Sequence, residues 1–207
     1  MIDISVLPQK TSEIFELLSH VDFISHFYLT GGTGLALQLK HRESEDLDFF
    51  TQREFNPESL QTEALKLGKL TNVMLDKGTL NCFVKGVKLQ FLHYPYTMLE
   101  KPITYRNLSI SSRIDIACTK LITISDRGYK KDFIDLYFLL QKYTLTQLFN
   151  ALRKKYDNVN YNEAHILKSL LYFEEADEQP MPRLLIPVTW SEVKKYITDV
   201  TKKSNIV

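Results

Sequence analysis

Charge of one sign has no excess in this chain: 26 Lys and Arg face 25 Asp and Glu, a formal net charge of +1. That removes any global pull toward nucleic acid or an anionic membrane, although a local basic face stays open. Cysteine is scarce. Cys82 and Cys118 lie far apart, so a zinc-type pair and a disulfide framework are both excluded, and each reads as a small buried residue of a reduced, cytoplasmic protein. No apolar run approaches the roughly 18 residues of a membrane span. The opening MIDISVLPQKTSEIF lacks a basic start followed by an apolar run, so a secretory leader is not expected. Internal repeats and low-complexity segments are missing too. What is present is bulk: 44% hydrophobic and 12% aromatic residues over 207 positions suffice for a substantial core.

Periodicity divides the chain near residue 110. Ile14, Leu17, Leu18 and Val21 recur at helical spacing. HFYLT is a short β-rich run stopping at two glycines, TGLALQLKH reads as a helix, and DLDFFT alternates as a strand. PESLQTEALKLG is a helix with proline first and glycine last. LTNVML, TLNCFV and VKLQFLHY, joined by glycine turns, predict an antiparallel meander. Beyond residue 110 the reading is helical: SSRIDIACTKLITISDR with Ser111 or Ser112 as cap, YKKDFIDLYFLLQKY, TLTQLFNALRKKY, NEAHILKSLLYFEEAD, a proline-rich connector and TWSEVKKYITDVTKK. The expected fold is α+β: an N-terminal α/β domain over 1–110 with a small mixed or antiparallel sheet, then a helical domain over 111–207.

The chemistry concentrates in GGTGLALQLKHRESEDLDFF. Alternate strand side chains share a face, so Asp46 and Asp48 project together while Leu47 and Phe49 point to a core. Two carboxylates on one face repel; Mg²⁺, which takes hard oxygen ligands from one or two carboxylates plus phosphates, would relieve that. Gly31 and Gly32 allow close backbone approach to a phosphate at a helix start, and Thr33 adds a hydroxyl. Arg42 and Ser44, between these elements, suit phosphate neutralisation. The competing reading is a turn, a solvated strand face and a structural Arg–Asp pair. The stretch is neither a P-loop nor a dinucleotide fingerprint.

A second cluster lies in KLITISDRGYKKDFIDLYFLL. Asp132 and Asp135 share a helix face, and a short connector through Gly128 would bring Lys120 toward Asp135; the plain alternative is an inter-helix salt bridge.

The two stretches together, spanning about 28–140, resemble the signatures of the AbiEii/AbiGii toxin family, a branch of the polymerase-β-like nucleotidyltransferases: Gly-Gly-Ser/Thr, helix, His-Arg-x-Ser, Asp-x-Asp, then a Lys helix, Arg, a basic pair and Asp-x-x-Asp-Leu. The resemblance implies a polymerase-β-like core completed by the helical half. It implies metal (Mg²⁺ or Mn²⁺) on Asp46 and Asp48, an NTP held by Gly31, Gly32, Thr33, Arg42 and Ser44, and catalytic roles for Lys120 and Asp135. Asp135 would orient Lys120 or act as base on the acceptor hydroxyl. It further implies a toxin of a bacterial toxin–antitoxin or phage-defence system, with a separate antitoxin as partner and a tRNA 3′ end as acceptor. Lys130, Lys131, Arg153, Lys154 and Lys155 are candidates for RNA phosphates. One departure stands out: where such enzymes often carry a third carboxylate, this chain has Gln90. That motivates one rival, a weakly active nucleotide- or partner-binding protein of the same fold; a small-molecule nucleotidyltransferase is a further alternative. From about Tyr143 onward the sequence matches no signature.

Overall fold

The computed structural model describes residues 2–204 and 206. Amphipathic spacing gives α1 (Gln9–Leu18), with Ile14, Phe15 and Leu18 fully buried. HFYLT yields only a two-residue strand, β1 (Tyr28–Leu29), because the chain leaves the sheet at Gly31, whose φ is +64°. The helix α2 (Gly31–Leu39) starts on the glycines and ends at Lys40, which is left-handed at φ 56°. β2 (Leu47–Thr51) follows, with Leu47 and Phe49 fully buried. Asp48 lies within it and Asp46 one residue ahead, both on the face away from that core. Next comes α3 (Pro57–Ala64), whose cap Asn56 accepts from the Ser59 amide.

β3 (Leu70–Asp76), β4 (Thr79–Val84) and β5 (Val87–His93) form the expected antiparallel meander. An element that the periodicity did not announce comes next. ITYRNLSI is a hairpin of β6 (Ile103–Tyr105) and β7 (Leu108–Ile110), whose turn has no glycine; Arg106 takes the positive φ of 52° instead. The sheet is accordingly larger than expected, with seven strands in the order β3-β4-β5-β2-β1-β7-β6. It is mixed: β2 runs parallel to β5, and β1 parallel to β7. β2 is therefore central, and its register sets Asp48 directly beside Gln90 of β5.

The helical half opens with α4 (Arg113–Asp126), capped by Ser112, and α5 (Lys130–Leu140). Then α6 (Leu145–Lys155) carries a capping box of Thr144 and Gln147. NEAHILKSLLYFEEAD was expected as one helix but breaks into α7 (Glu163–Ser169) and α8 (Glu174–Asp177). The break turns Phe173 inward onto Phe133 and Trp190, with ring centroids 4.9 and 5.7 Å away. α9 (Trp190–Lys202) closes the chain behind a Thr189–Glu192 capping box. Among the described residues no helix is long and apolar enough to cross a membrane.

Two apolar cores result. One packs α1 and α3 on the sheet, with Phe49 stacked on Phe91 at 5.2 Å; the other lies among α4–α9. The helix α2 serves both, giving Ala36 and Leu37 to the first and Leu35 to the second. A buried ion pair adds a third tie: Lys155 Nζ lies 2.7 Å from Asp115 Oδ1 and 2.9 Å from the Thr97 carbonyl. Asp115 also accepts the Leu99 amide at 3.0 Å, so the segment after β5 is pinned to α4 and α6.

Removing one member of a buried pair strands a charge, which costs about 3–5 kcal/mol, whereas an exposed pair contributes about 1 kcal/mol or less. Urea unfolding should therefore show Asp115→Ala losing about 3–5 kcal/mol and Arg153→Ala, which breaks the surface pair with Glu163, losing no more than about 1 kcal/mol. Equal losses would contradict the burial assigned to Lys155.

Candidate active site

Five elements meet in one cleft. The turn from β1 into α2 supplies Thr30, Gly31 and Gly32; β2 supplies Asp46, Asp48 and Phe50; β5 supplies Gln90. α4 contributes Lys120 and Thr123, together with Arg127, the extended residue that ends it, and α5 contributes Lys131 and Asp132. One wall is thus acidic and the facing wall basic.

The two glycines are required by what packs on them. A Cβ on Gly31 would lie 2.7 Å from Asp48 Oδ2, and one on Gly32 would lie 2.3 Å from Arg42 Nη2. The first amides of α2 have no intrahelical acceptor and border the cleft. They form a positive rim beside the aspartates.

Behind this surface sits a buried carboxylate. Asp135 is fully inaccessible; it accepts from Arg42 Nε at 2.7 Å and Arg42 Nη2 at 2.9 Å. His41 Nε2 lies 2.7 Å away and Lys120 Nζ 2.5 Å away. Burial alone would push its pKa up, but the Arg42 and Lys120 cations override that and hold it well below the usual carboxylate range. Burial pulls His41 down, aided by the same cations and opposed by Asp135, so the ring is neutral and donates through Nε2. Lys120 also bonds Asp132 Oδ1 at 2.6 Å. Burial works against its charge, and Asp132 and Asp135 outweigh burial and raise its pKa. The ammonium stays charged with two of its three donors committed.

The acidic wall has the opposite character. Burial, then the neighbouring Asp46, pushes the Asp48 pKa up, against the pull of Lys88, Lys120 and Lys131. The nearest cation to Asp46 is Lys131, 4.0 Å from Oδ2. Among the described residues no three His, Cys, Asp or Glu side chains gather to hold a metal unaided. Asp46, Asp48 and the Gln90 amide oxygen nevertheless form a hard-oxygen set of the size Mg²⁺ uses when phosphates complete its shell, so the residues present fit that ion.

The structure brings Asp46, Asp48, Gly31, Gly32, Arg42, Ser44 and Lys120 to the cleft, and places two other expected residues behind it. Asp135 cannot act as a base on an acceptor, since it is buried and already bonded to three partners; its place is the one that orients Lys120. Thr33 is fully buried and donates to the Asp46 carbonyl, with Ser44 Oγ 2.8 Å away, so it fixes the loop before β2 instead of touching phosphate. Arg42 is only 3% exposed and is largely taken up by Asp135. The set proposed for RNA also shrinks. Lys130 is buried against the Gln179 carbonyl, Lys155 is buried on Asp115, and Arg153 is held by Glu163. Lys131 lines the cleft and Lys154 remains exposed. Sequence reading did not assign Arg127 or Phe50 to the site; Arg127 reaches it from the residue that ends α4, 3.7 Å from Asp132.

The fold is that of nucleotidyltransferases. JHP933 of Helicobacter pylori superposes with a TM-score of 0.56 at 17% identity, over 98% of this chain and 92% of that one. MenT4, a nucleotidyltransferase toxin of Mycobacterium tuberculosis, does so at 0.53 and 14%, over 96% and 87%. An uncharacterized protein of Aquifex aeolicus is 36% identical over 203 residues, 95% of this chain and 97% of its own length. The model of the nucleotidyl transferase AbiEii toxin family, type IV toxin–antitoxin system, matches residues 14–88 and 89–199. This chain belongs to that family, and the match runs well past Tyr143, where the sequence had shown no signature.

The carboxylate shifts have opposite consequences. Asp135, depressed in the folded state, stabilises above its unfolded pKa of about 4, and the contribution is lost only as pH falls through the lower folded value. Asp48, raised in the folded state, favours folding only at pH below its unfolded pKa, and that advantage is lost as pH rises through the folded value. At pH 7, Asp135→Asn should therefore cost about 3–5 kcal/mol, by stranding Arg42 and Lys120. Asp48→Asn should stabilise the metal-free chain by roughly 0.5–1 kcal/mol, and the gain should vanish near pH 3. Mg²⁺ should raise the melting temperature of wild type more than that of Asp48→Asn.

Proposed function

We propose that this protein transfers a nucleotide from an NTP to the hydroxyl of an RNA 3′ end, of the tRNA type, with a divalent cation of the Mg²⁺ or Mn²⁺ kind at Asp46 and Asp48. The observation that carries the reading is the pairing of walls: two adjacent carboxylates, one with a raised pKa, face Lys120, Arg127 and Lys131 across one cleft. Family membership supports nucleotidyl transfer by a toxin with an antitoxin partner.

The cleft holds about 120 Å³, well below the roughly 300–1,000 Å³ of pockets that engulf whole ligands. It suits a phosphate chain. The amides of Gly31 and Gly32 and the free donor of Lys120 bind its oxygens, and Arg127 and Lys131 neutralise the charge that grows on the leaving pyrophosphate. Asp135 and Asp132 keep Lys120 fixed and protonated, so it acts as a donor and not as a base. Arg42, locked by Asp135, holds the Gly32 backbone in line. A cation bound at Asp46 and Asp48 would neutralise phosphate oxygens and lower the pKa of the attacking hydroxyl. Gln90 contributes an oxygen without charge beside them.

Incubation with each α-labelled NTP and bulk tRNA should label RNA 3′ ends in a metal-dependent way. Asp48→Ala should reduce the rate at least about 10³-fold, and Lys131→Ala should weaken it about tenfold, mainly through KM for the NTP. Growth arrest on expression should disappear with Asp46→Ala. NTP binding without a labelled product for any nucleotide or RNA would sink the reading, and faster labelling of a small hydroxyl compound would redirect it.

A further inference from the structure

A second cavity, of about 460 Å³, opens on the other side of Asp46. It runs between α1 and the β4–β5 hairpin and is lined by Gln9, Lys10, Glu45, Phe83 and Lys88. Asp46 is the one residue that lines both it and the catalytic cleft. Lys10 and Lys88 pair with no carboxylate among the described residues, in contrast to Lys120, Lys131 and Lys155. Phe83 alternates with buried Cys82 and Val84 along β4, so its half-buried ring lies on the face away from the sheet core.

We infer that this groove is the track of the acceptor strand. In phosphoryl transfer the attacking oxygen and the leaving group lie roughly in line on opposite sides of phosphorus. Leaving pyrophosphate needs the cationic wall of Lys120, Arg127 and Lys131. The attacking hydroxyl must then approach from the other side of phosphorus, and the groove reaches the cleft through Asp46, which lines both. Two unpaired lysines and an aromatic ring are the combination that holds a single strand, cations on phosphates and a ring under a base. The bond formed joins the acceptor 3′ oxygen to the α-phosphorus; the bond broken is that from the α-phosphorus to the bridging oxygen of pyrophosphate, and the hydroxyl proton leaves to solvent.

The inference rests on RNA being the acceptor, and the test separates the two claims. Binding of a 5′-fluorescent single-stranded oligoribonucleotide with a free 3′ hydroxyl is measured by anisotropy, and NTP binding by equilibrium dialysis. Lys10→Gln/Lys88→Gln should weaken RNA binding about tenfold and flatten the log–log salt slope by about 1.4, the yield of two phosphate contacts on a single strand. NTP affinity should stay within about twofold in the single variant Lys10→Gln, since Lys88 also acts on Asp48, and Lys202→Gln, an exposed change at the end of α9, should alter neither. Phe83→Ala should weaken RNA binding by roughly the 1–3 kcal/mol of one stacked base, that is about 5- to 150-fold. Wild type that binds and labels RNA while the double variant does the same with unchanged affinity and slope would overturn the groove alone. Loss of NTP affinity in Lys10→Gln alone would also overturn it, by assigning the groove to the nucleoside. Wild type that neither binds nor labels RNA removes the acceptor reading and the groove together.

Discussion

Everything in the cleft depends on one buried carboxylate. Asp135 takes Arg42 and Lys120 on its two oxygens and His41 beside them, with no exposure of its own. Two cations this close would repel by several kcal/mol at a typical internal dielectric, and each would lose hydration on burial. Asp135 and Asp132 offset both costs. The arrangement also has a structural result. Arg42 belongs to the connector that leads into β2, whereas Lys120 and Asp135 belong to α4 and α5, so a single anion joins the sheet half to the helical half at the level of the active surface. The guanidinium held this way occupies the space where a Gly32 side chain would lie. The Gly-Gly step thus answers to the ion network as much as to any ligand.

The two walls are unequal in how well they are satisfied. In the basic wall Lys120 is matched by buried Asp132 and Asp135, and Arg127 lies 3.7 Å from Asp132. The acidic wall is not so matched: Asp46 has only a distant Lys131, and Asp48 is both partly desolvated and next to a like charge. Local violations of good pairing that are sustained by a well-matched surround are what a functional site leaves in a structure. The supporting layer makes the violation tolerable. Thr33 fixes the Asp46 carbonyl, the Thr30 amide donates to the Asp48 carbonyl at 2.8 Å, and Leu47 and Phe49 hold the strand from below. The strand backbone that carries the two carboxylates cannot shift without breaking the first core.

Most of the frame was legible because it rests on pattern. DLDFF alternates, so Asp46 and Asp48 had to share a face; the glycine turns at 78 and 86 set the meander; Lys120 and Asp135 met because the connector at Gly128 is short. What pattern does not carry is depth. Thr33, Arg42 and Asp135 were given ligand-facing roles on chemical type and family resemblance, yet a hydroxyl, a guanidinium and a carboxylate serve equally well one layer behind a surface. Lys130 and Lys155 looked like part of a basic face, but lysine stems are long and apolar enough to run inward when an acceptor waits there, and Asp115 is 40 residues away in sequence. The hairpin ITYRNLSI escaped because its turn relies on Arg106, held by Glu16 and lying over Tyr105, where a glycine would have signalled it.

Gln90 can now be placed in this electrostatic frame. The parallel register sets it beside Asp48, and Asn81 of β4 lies on its other flank. The row across the sheet therefore reads carboxylate, amide, amide. A third carboxylate there would add a negative charge next to the one acid whose pKa is already pushed up, with no further buried cation to balance it. The amide keeps an oxygen in place without that penalty. Its consequence is a lower charge density on the acidic wall, so a divalent cation of the proposed kind would find less than a full set of anionic partners in the protein and would take the remainder from phosphate. Under the proposed function, cation and triphosphate would complete each other in the cleft, the nucleotide supplying the anionic oxygens that the acidic wall lacks.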